Sequence, residues 1–255
     1  MTVTVTYANT VVKPEFVTNT YVNANQLTPD VLGLSGGGFV SAYHVDTGGA
    51  NFDLLNFYDA GFNVIGTYEV PYADPHTIAV GQPVMTELAN GNVLVVWDDE
   101  TSLDPQGPGL KGAIFDANGD QVATGLKIAG SAVFYGEPSV TALAGGGFVV
   151  SMSFTSSPQG IYISTFDADG NKLSDPDAVA LGVGATQSDS QVTALTGGDF
   201  VVTWTDASGA NDQILGRHYD ATGAALGSAF LIRTTGANNQ SSIAAMQHGD
   251  FADVY

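Results

Sequence analysis

Residues Pro138 to Met152 read PSVTALAGGGFVVSM, and close copies of this stretch stand four more times in the chain. They run from Pro29 to Tyr43 (PDVLGLSGGGFVSAY), Pro83 to Trp97 (PVMTELANGNVLVVW), Ser190 to Trp204 (SQVTALTGGDFVVTW) and Ser241 to Tyr255 (SSIAAMQHGDFADVY). Anchored on the first residue after the turn (Phe39, Val93, Phe148, Phe200 and Phe251), the spacings are 54, 55, 52 and 51 residues. A period of this length marks a repeat architecture. Each copy also reads as a hairpin, an apolar run and an aromatic or β-branched run joined by a glycine-rich turn.

A second hairpin fills the space between copies. Strands predicted over Asp53 to Tyr58, Lys111 to Phe115, Ile161 to Phe166 and Ile214 to Tyr219 each end on an aromatic and turn at Asp59, Asp116, Asp167 and Asp220. Tyr7 is a fifth counterpart of those aromatics. A full unit therefore holds four strands. The last copy supplies only the first two strands of a unit, and Thr2 to Thr18 supplies only the last two. The expectation is an all-β fold, a five-bladed β-propeller of four-stranded antiparallel blades formed by residues 1–255 as one domain. Its last blade would be shared between residues 2–18 and 228–255, with the N-terminal strands closing the ring. Runs such as FVVSM and FVVTW are apolar on both alternating faces, as a blade packed between two neighbours requires. A sandwich needs no repeat, and a β-helix would show a shorter period.

Composition narrows the partners. Six Lys and Arg against 26 Asp and Glu leave a formal charge of −20, so the chain lacks the cations that a nucleic-acid backbone or an anionic membrane would require. There is no cysteine, hence no disulfide or thiolate site. No segment is long and apolar enough for a spanning helix, and no membrane insertion is expected.

Antiparallel pairing puts the Gly-Gly and Asp-x-x-Gly turns on one rim. The other rim carries the links between units and four loops of differing content: HVDTGGANF, DDETSLDPQGPG, SFTSSPQG and TDASGAND. Variable loops on a fixed scaffold are where binding is usually placed. On this rim the candidate ligand-binding residues are Tyr43, His44, Trp97, Asp98, Trp204 and Asp206, with Asn25, Gln26, Gln82, Gln187, Asn239 and Gln240 from the links. Aromatics beside amides and carboxylates suit a sugar ring and its hydroxyls, although packing between blades explains the same aromatics. His44, beside Tyr43, is the one histidine placed for acid–base work. Asp167, Asp169 and Asp99 are candidate calcium ligands, oxygen donors being what calcium takes. The alternative at Asp167 is a hairpin whose first Asp accepts a backbone N–H while the glycine takes positive φ.

The unit, P-x-V-x-x-L-x-G-G-x-F-V-V-x-W followed by an aromatic-Asp-Ala-x-Gly turn and an N-Q link, resembles repeats of large secreted bacterial proteins of the hemolysin-type calcium-binding (repeats-in-toxin) group. The five blades are similar in architecture to tachylectin-type sugar-binding propellers. The resemblance implies an extracellular, type I secreted module with an adhesive role, and calcium as a possible cofactor, although the G-G-x-G-x-D nonapeptide is absent. The expected function is a non-catalytic, monomeric module binding carbohydrate or a cell-surface partner. Two alternatives stand beside it: a polysaccharide lyase or hydrolase working in the central mouth, and a structural spacer of a larger secreted protein.

Overall fold

The computed structural model describes residues 17–18, 21, 23–48, 51–70, 83–99, 109–130, 135–154, 158–175, 177–181, 187–234, 242–246 and 251–254. It is all β. Four sheets of four strands follow one another along the chain, and each is a simple meander whose neighbours are consecutive in sequence. The first blade holds β1 (Asn25–Gly33), β2 (Phe39–Asp46), β3 (Asn51–Tyr58) and β4 (Val64–Val70). The second holds β5 (Val84–Glu87), β6 (Val93–Asp99), β7 (Gly109–Phe115) and β8 (Gln121–Gly130). The third holds β9 (Tyr135–Ala142), β10 (Phe148–Phe154), β11 (Gly160–Phe166) and β12 (Asp177–Leu181). The fourth holds β13 (Gln187–Ala194), β14 (Phe200–Asp206), β15 (Gln213–Tyr219) and β16 (Phe230–Thr234), and a hairpin of β17 (Ser242–Ala245) and β18 (Phe251–Val254) follows. All five copies of the organising stretch are therefore hairpins.

The first strands of successive blades are neighbours in order, β1 to β5, β5 to β9, β9 to β13 and β13 to β17, as inner strands around an axis would be. The middle strands are buried on both faces. Strand alternation divides those faces between neighbours. Val40, Ala42, Leu55 and Phe57 of the first blade pack with Val93, Val95, Trp97 and Phe115 of the second. Leu94, Val96, Leu110 and Ile114 pack with Phe148, Val150, Met152 and Phe166. Val149, Ile161 and Ile163 pack with Phe200, Val202 and Trp204. In three of the four blades the aromatic that ends the third strand stacks on the residue opening the second: Phe39 on Tyr58 at 4.3 Å, Phe148 on Phe166 at 4.7 Å and Phe200 on Tyr219 at 5.2 Å.

Both hairpin turns repeat in detail. In the first, the Leu34, Leu88, Leu143 and Leu195 N–H groups donate across the turn, and Gly37, Gly91, Gly146 and Gly198 take positive φ. In the second, the Asp116, Asp167 and Asp220 carboxylates each accept backbone N–H groups two and four residues on, at 2.8–3.0 Å. Phe62, at φ 65, fills the position that glycine holds in the other three turns. These turns also fasten the blades. A Cβ on Gly119 would meet Phe57 of the preceding blade at 2.9 Å, and one on Gly170 would meet Leu126 at 2.7 Å.

A bulge recurs in the inner strands. The register slips between Leu27 and Asp30, between Gly136 and Ser139, and between Ser188 and Gln191. Pro29 and Pro138 sit inside it, where an unpaired position needs no N–H. Thr28 and Asp189, at φ 47 and 54, carry the backbone strain of two of these bulges. Beyond the bulge a side chain clasps the next blade: the Met85 N–H donates to Asp30, the Val192 N–H to Ser139 Oγ at 3.1 Å, and the Ala194 N–H to Thr141 Oγ1 at 3.3 Å.

Residues 2–16, expected to complete the last blade, lie outside the described residues. Thr18 is described, and its carbonyl accepts from Asn56 Nδ2 at 3.1 Å and from the Tyr58 hydroxyl at 2.6 Å on the first blade.

Candidate functional site

Loop boundaries set the chemistry of the rim. The loop expected from His44 onward is shorter, because the β2–β3 ladder extends from Phe39↔Tyr58 to Asp46↔Asn51. His44 therefore sits within a strand, opposite Asp53. Its Nδ1 lies 2.9 Å from Asp53 Oδ1, with the histidine side chain 9% exposed and the carboxylate fully buried. With the carboxylate as acceptor, Nδ1 is the donor of this contact, and in the neutral tautomer the lone pair falls on Nε2. Among the described residues Nε2 has no hydrogen-bond partner.

Adjacent residues on a strand point to opposite faces, and this separates pairs that sequence proximity had joined. Tyr43 lies with Val45 and Leu54 on one face of the first blade, and its hydroxyl accepts from Asn56 Nδ2 at 3.3 Å. His44 lies on the other face, toward the second blade. Tyr43 and His44 thus lie on opposite faces of the first blade and do not converge. Asp99, expected as a calcium ligand, ends β6 opposite Gly109 in the β6–β7 ladder.

The expected aromatic platform is not exposed. Trp97 and Trp204 are 6% and 1% exposed, each wedged against the preceding blade, and Tyr43 is also buried. Packing takes these rings because they alternate with the apolar residues that face the same neighbour. Both indole Nε1 groups are enclosed, with no hydrogen-bond partner among the described residues. The position of His44 recurs as Asp98, Ser153 and Thr205, all buried, which makes it a polar position in four blades. Lys111, opposite Trp97, is also buried and on the face of the second blade that looks toward the first.

The link residues are engaged locally. Gln26 Nε2 donates to the Tyr21 and Ala24 carbonyls at 2.7 and 2.5 Å, and its counterpart Gln187 reaches Asp206 Oδ2 at 3.4 Å. Asp206 Oδ1 also accepts the Ser208 N–H at 2.9 Å. Asn25 is exposed, opposite Asp46. Gln82, Asn239 and Gln240 lie outside the described residues.

The calcium ligands expected at Asp167 and Asp169 lie on the opposite rim, in a turn. Asp167 Oδ1 accepts the N–H groups of Asp169 and Asn171 at 3.0 and 2.8 Å, and Oδ2 accepts Asn171 Nδ2 at 2.9 Å. Its oxygens are occupied by the turn, and Asp116 and Asp220 do the same work with Asn118 and Thr222 at the position of Asp169. Among the described residues no group of three His, Asp or Glu side chains could hold a metal ion.

Sequence reasoning missed Asp53 and Asp30. Asp53 was read as the first residue of a strand, and its partner lies across a hairpin whose length was misjudged. Asp30 was read only as part of the repeat. It is half-buried, and burial holds its carboxyl above the usual aspartate value, with the Val31 and Met85 N–H groups pulling the other way. No helix among the described residues is long and apolar enough to cross a membrane.

No protein-family model matches the chain. No curated protein matches it either. Solved structures do. A protein of unknown function from Dyadobacter fermentans is similar at 16% identity and TM-score 0.56, over 85% of this chain and 67% of that one. An endo-arabinase from Bacteroides thetaiotaomicron is similar at 14% identity and TM-score 0.52, over 91% and 89%. An α-L-arabinofuranosidase from Fusarium graminearum, solved with an iminosugar inhibitor, is similar at 14% identity and TM-score 0.56, over 87% and 75%. At these identities the likeness is one of fold, and it agrees with the propeller expected from the period.

Proposed function

We propose that this propeller processes a carbohydrate polymer at its loop rim, with His44 as a proton-transfer group held in place by Asp53. The observation that carries this is the His44–Asp53 pair at 2.9 Å, with the imidazole oriented from one side and Nε2 unpartnered on the other. An imidazole oriented through one nitrogen is suited to proton transfer at the other. Burial of Trp97, Trp204 and Tyr43 removes the stacking surface on which a lectin-like reading depended. The arabinose-directed enzymes among the structural neighbours favour a carbohydrate as the thing acted on. An extracellular setting goes with a polymer too large to enter a cell. Closure of the ring by residues 2–18 belongs to the same proposal, supported by the two bonds that the first blade makes to the Thr18 carbonyl.

The test is turnover of arabinan, galactan, xylan, pectate and alginate by the full chain and by His44→Ala. Release of product by the parent, reduced in the variant by on the order of 100-fold or more, is the expected result. Retention on a polymer in affinity electrophoresis with no turnover would favour a binding module instead. Equal turnover by both proteins would remove His44 from the chemistry.

A further inference from the structure

Asp30 stands on the innermost strand of the first blade, where β1 faces the central axis. It lies opposite Ala42 in the β1–β2 ladder, and His44 is two residues further along β2 on the same face. That makes Asp30 and His44 diagonal neighbours, on the order of 7–8 Å apart at the backbone. The bulge between Leu27 and Asp30 and the strained Thr28 lie directly beside the pair, and bulges of this kind are used to re-aim side chains at active sites.

The clasp that Asp30 makes to the Met85 N–H does not need a carboxyl. Ser139 holds the same position in the third blade and makes the same clasp, to Val192, with a hydroxyl. Half-burying an ionisable group carries a desolvation cost that serine avoids. The carboxyl has a use beyond the clasp.

We propose that Asp30 is the second proton-transfer group of the site, and that the reaction is hydrolysis of a glycosidic bond in a neutral glycan. It rests on the role of His44 proposed above. A water molecule gives its proton to His44 Nε2 while its oxygen bonds to the anomeric carbon. The bond from that carbon to the leaving oxygen breaks, its electron pair staying on the oxygen, which takes the proton of the Asp30 carboxyl. Solvent then returns the proton from His44 to Asp30. Inverting pairs work with their reacting groups about 6.5–9.5 Å apart, which leaves room for the water; the diagonal placement of Asp30 and His44 on one face allows such a pair. Burial holds the Asp30 carboxyl above its ordinary value, which favours its protonated form.

The charged groups around it are few. His44, Asp46 and Asp53 share its face, and Lys111 looks in from the second blade. Asp46 accepts the Gly48 N–H at 2.8 Å. Glu87 on β5 is tied to Ser35, with both contacts at 2.8 Å. Elimination would instead require a uronate, an anionic polymer that a chain of charge −20 repels.

The test compares the full chain with His44→Ala, Asp30→Asn and Asp30→Ser. Substrates are arabinan, galactan and xylan, read by reducing ends, and pectate and alginate, read by the ultraviolet absorbance of an unsaturated product. Expected is hydrolysis of a neutral polymer with inverted product. Both Asp30 variants should lower kcat by on the order of 100-fold or more and remove the alkaline limb of the pH profile. Asp30→Ser, which copies Ser139, should keep the parent melting temperature. Parent-like activity in Asp30→Ser alongside loss in His44→Ala would reduce Asp30 to a clasp while leaving His44 in its role. Unsaturated products from pectate or alginate would overturn hydrolysis of a neutral glycan. No turnover of any polymer would overturn both roles.

Discussion

At the residue scale, the aspartates of the second turns have the most sharply defined surroundings. Asp167 is held below the ordinary aspartate value chiefly by the Asn171 side chain, and Asp220 by the Thr222 hydroxyl. At Asp116 slight burial works upward and is outweighed by the N–H groups of Asp120 and Asn118. A carboxyl whose value falls on folding stabilises the fold above its unfolded value of about 3.9, and that contribution is lost as pH drops through the folded value. Titration followed by carbon NMR should find Asp116, Asp167 and Asp220 ionising below the remaining exposed aspartates; ordinary values would mean the turn bonds do not persist in solution. The Asp-x-x-Gly spacing alone disclosed these turns, because every partner lies within four residues. His44 was legible as a candidate, but Asp53 was not, since the pair depends on where a hairpin ladder stops. The aromatic platform failed for a related reason. A tryptophan at a strand end reads the same whether it faces a ligand or the next blade.

At the scale of the element, the contacts between blades decide what a glycine can become. A Cβ on Gly66 of β4 would come within 2.7 Å of the Asn118 carbonyl oxygen in the next blade, an atom fixed by its own turn. Gly145 and Gly197, in the first turns, have nothing within 4 Å and no positive φ. Urea unfolding should show Gly66→Ala destabilised by about 1–3 kcal/mol, with Gly145→Ala within about 0.5 kcal/mol of the parent. Equal effects at both sites would mean that the turn of the second blade does not seat on β4. Strand existence and order were readable from the five copies, because turn chemistry and apolar runs agree there. The bulges were not. Pro29 and Pro138 had read only as the start of a repeat, and a bulge appears only once each strand is set against its partner.

For the whole molecule, the period disclosed the repeated hairpins and the meander within each of the four described blades, whereas closure turns on two chain ends far apart in sequence. The Thr18 carbonyl, bonded from Asn56 and Tyr58, ties the N-terminal region to the first blade. Removing residues 1–18 should lower the melting temperature well beyond the effect of Tyr58→Phe, which gives up the hydroxyl's bond to the Thr18 carbonyl, worth about 1 kcal/mol. An unchanged melting temperature on truncation would sink the shared blade.

Among the described residues every sheet pairs only strands that are consecutive in the chain. Each of the four four-stranded blades can therefore assemble from short loops, at little entropic cost and with low contact order. The closure proposed above would join two chain ends across a loop of most of the chain, at about 3 kcal/mol more than a tight hairpin by the logarithmic dependence on length. Under that proposal closure would be the late and slow step of folding. The blade shared by the two ends would then be the first to open, while the four consecutive meanders hold.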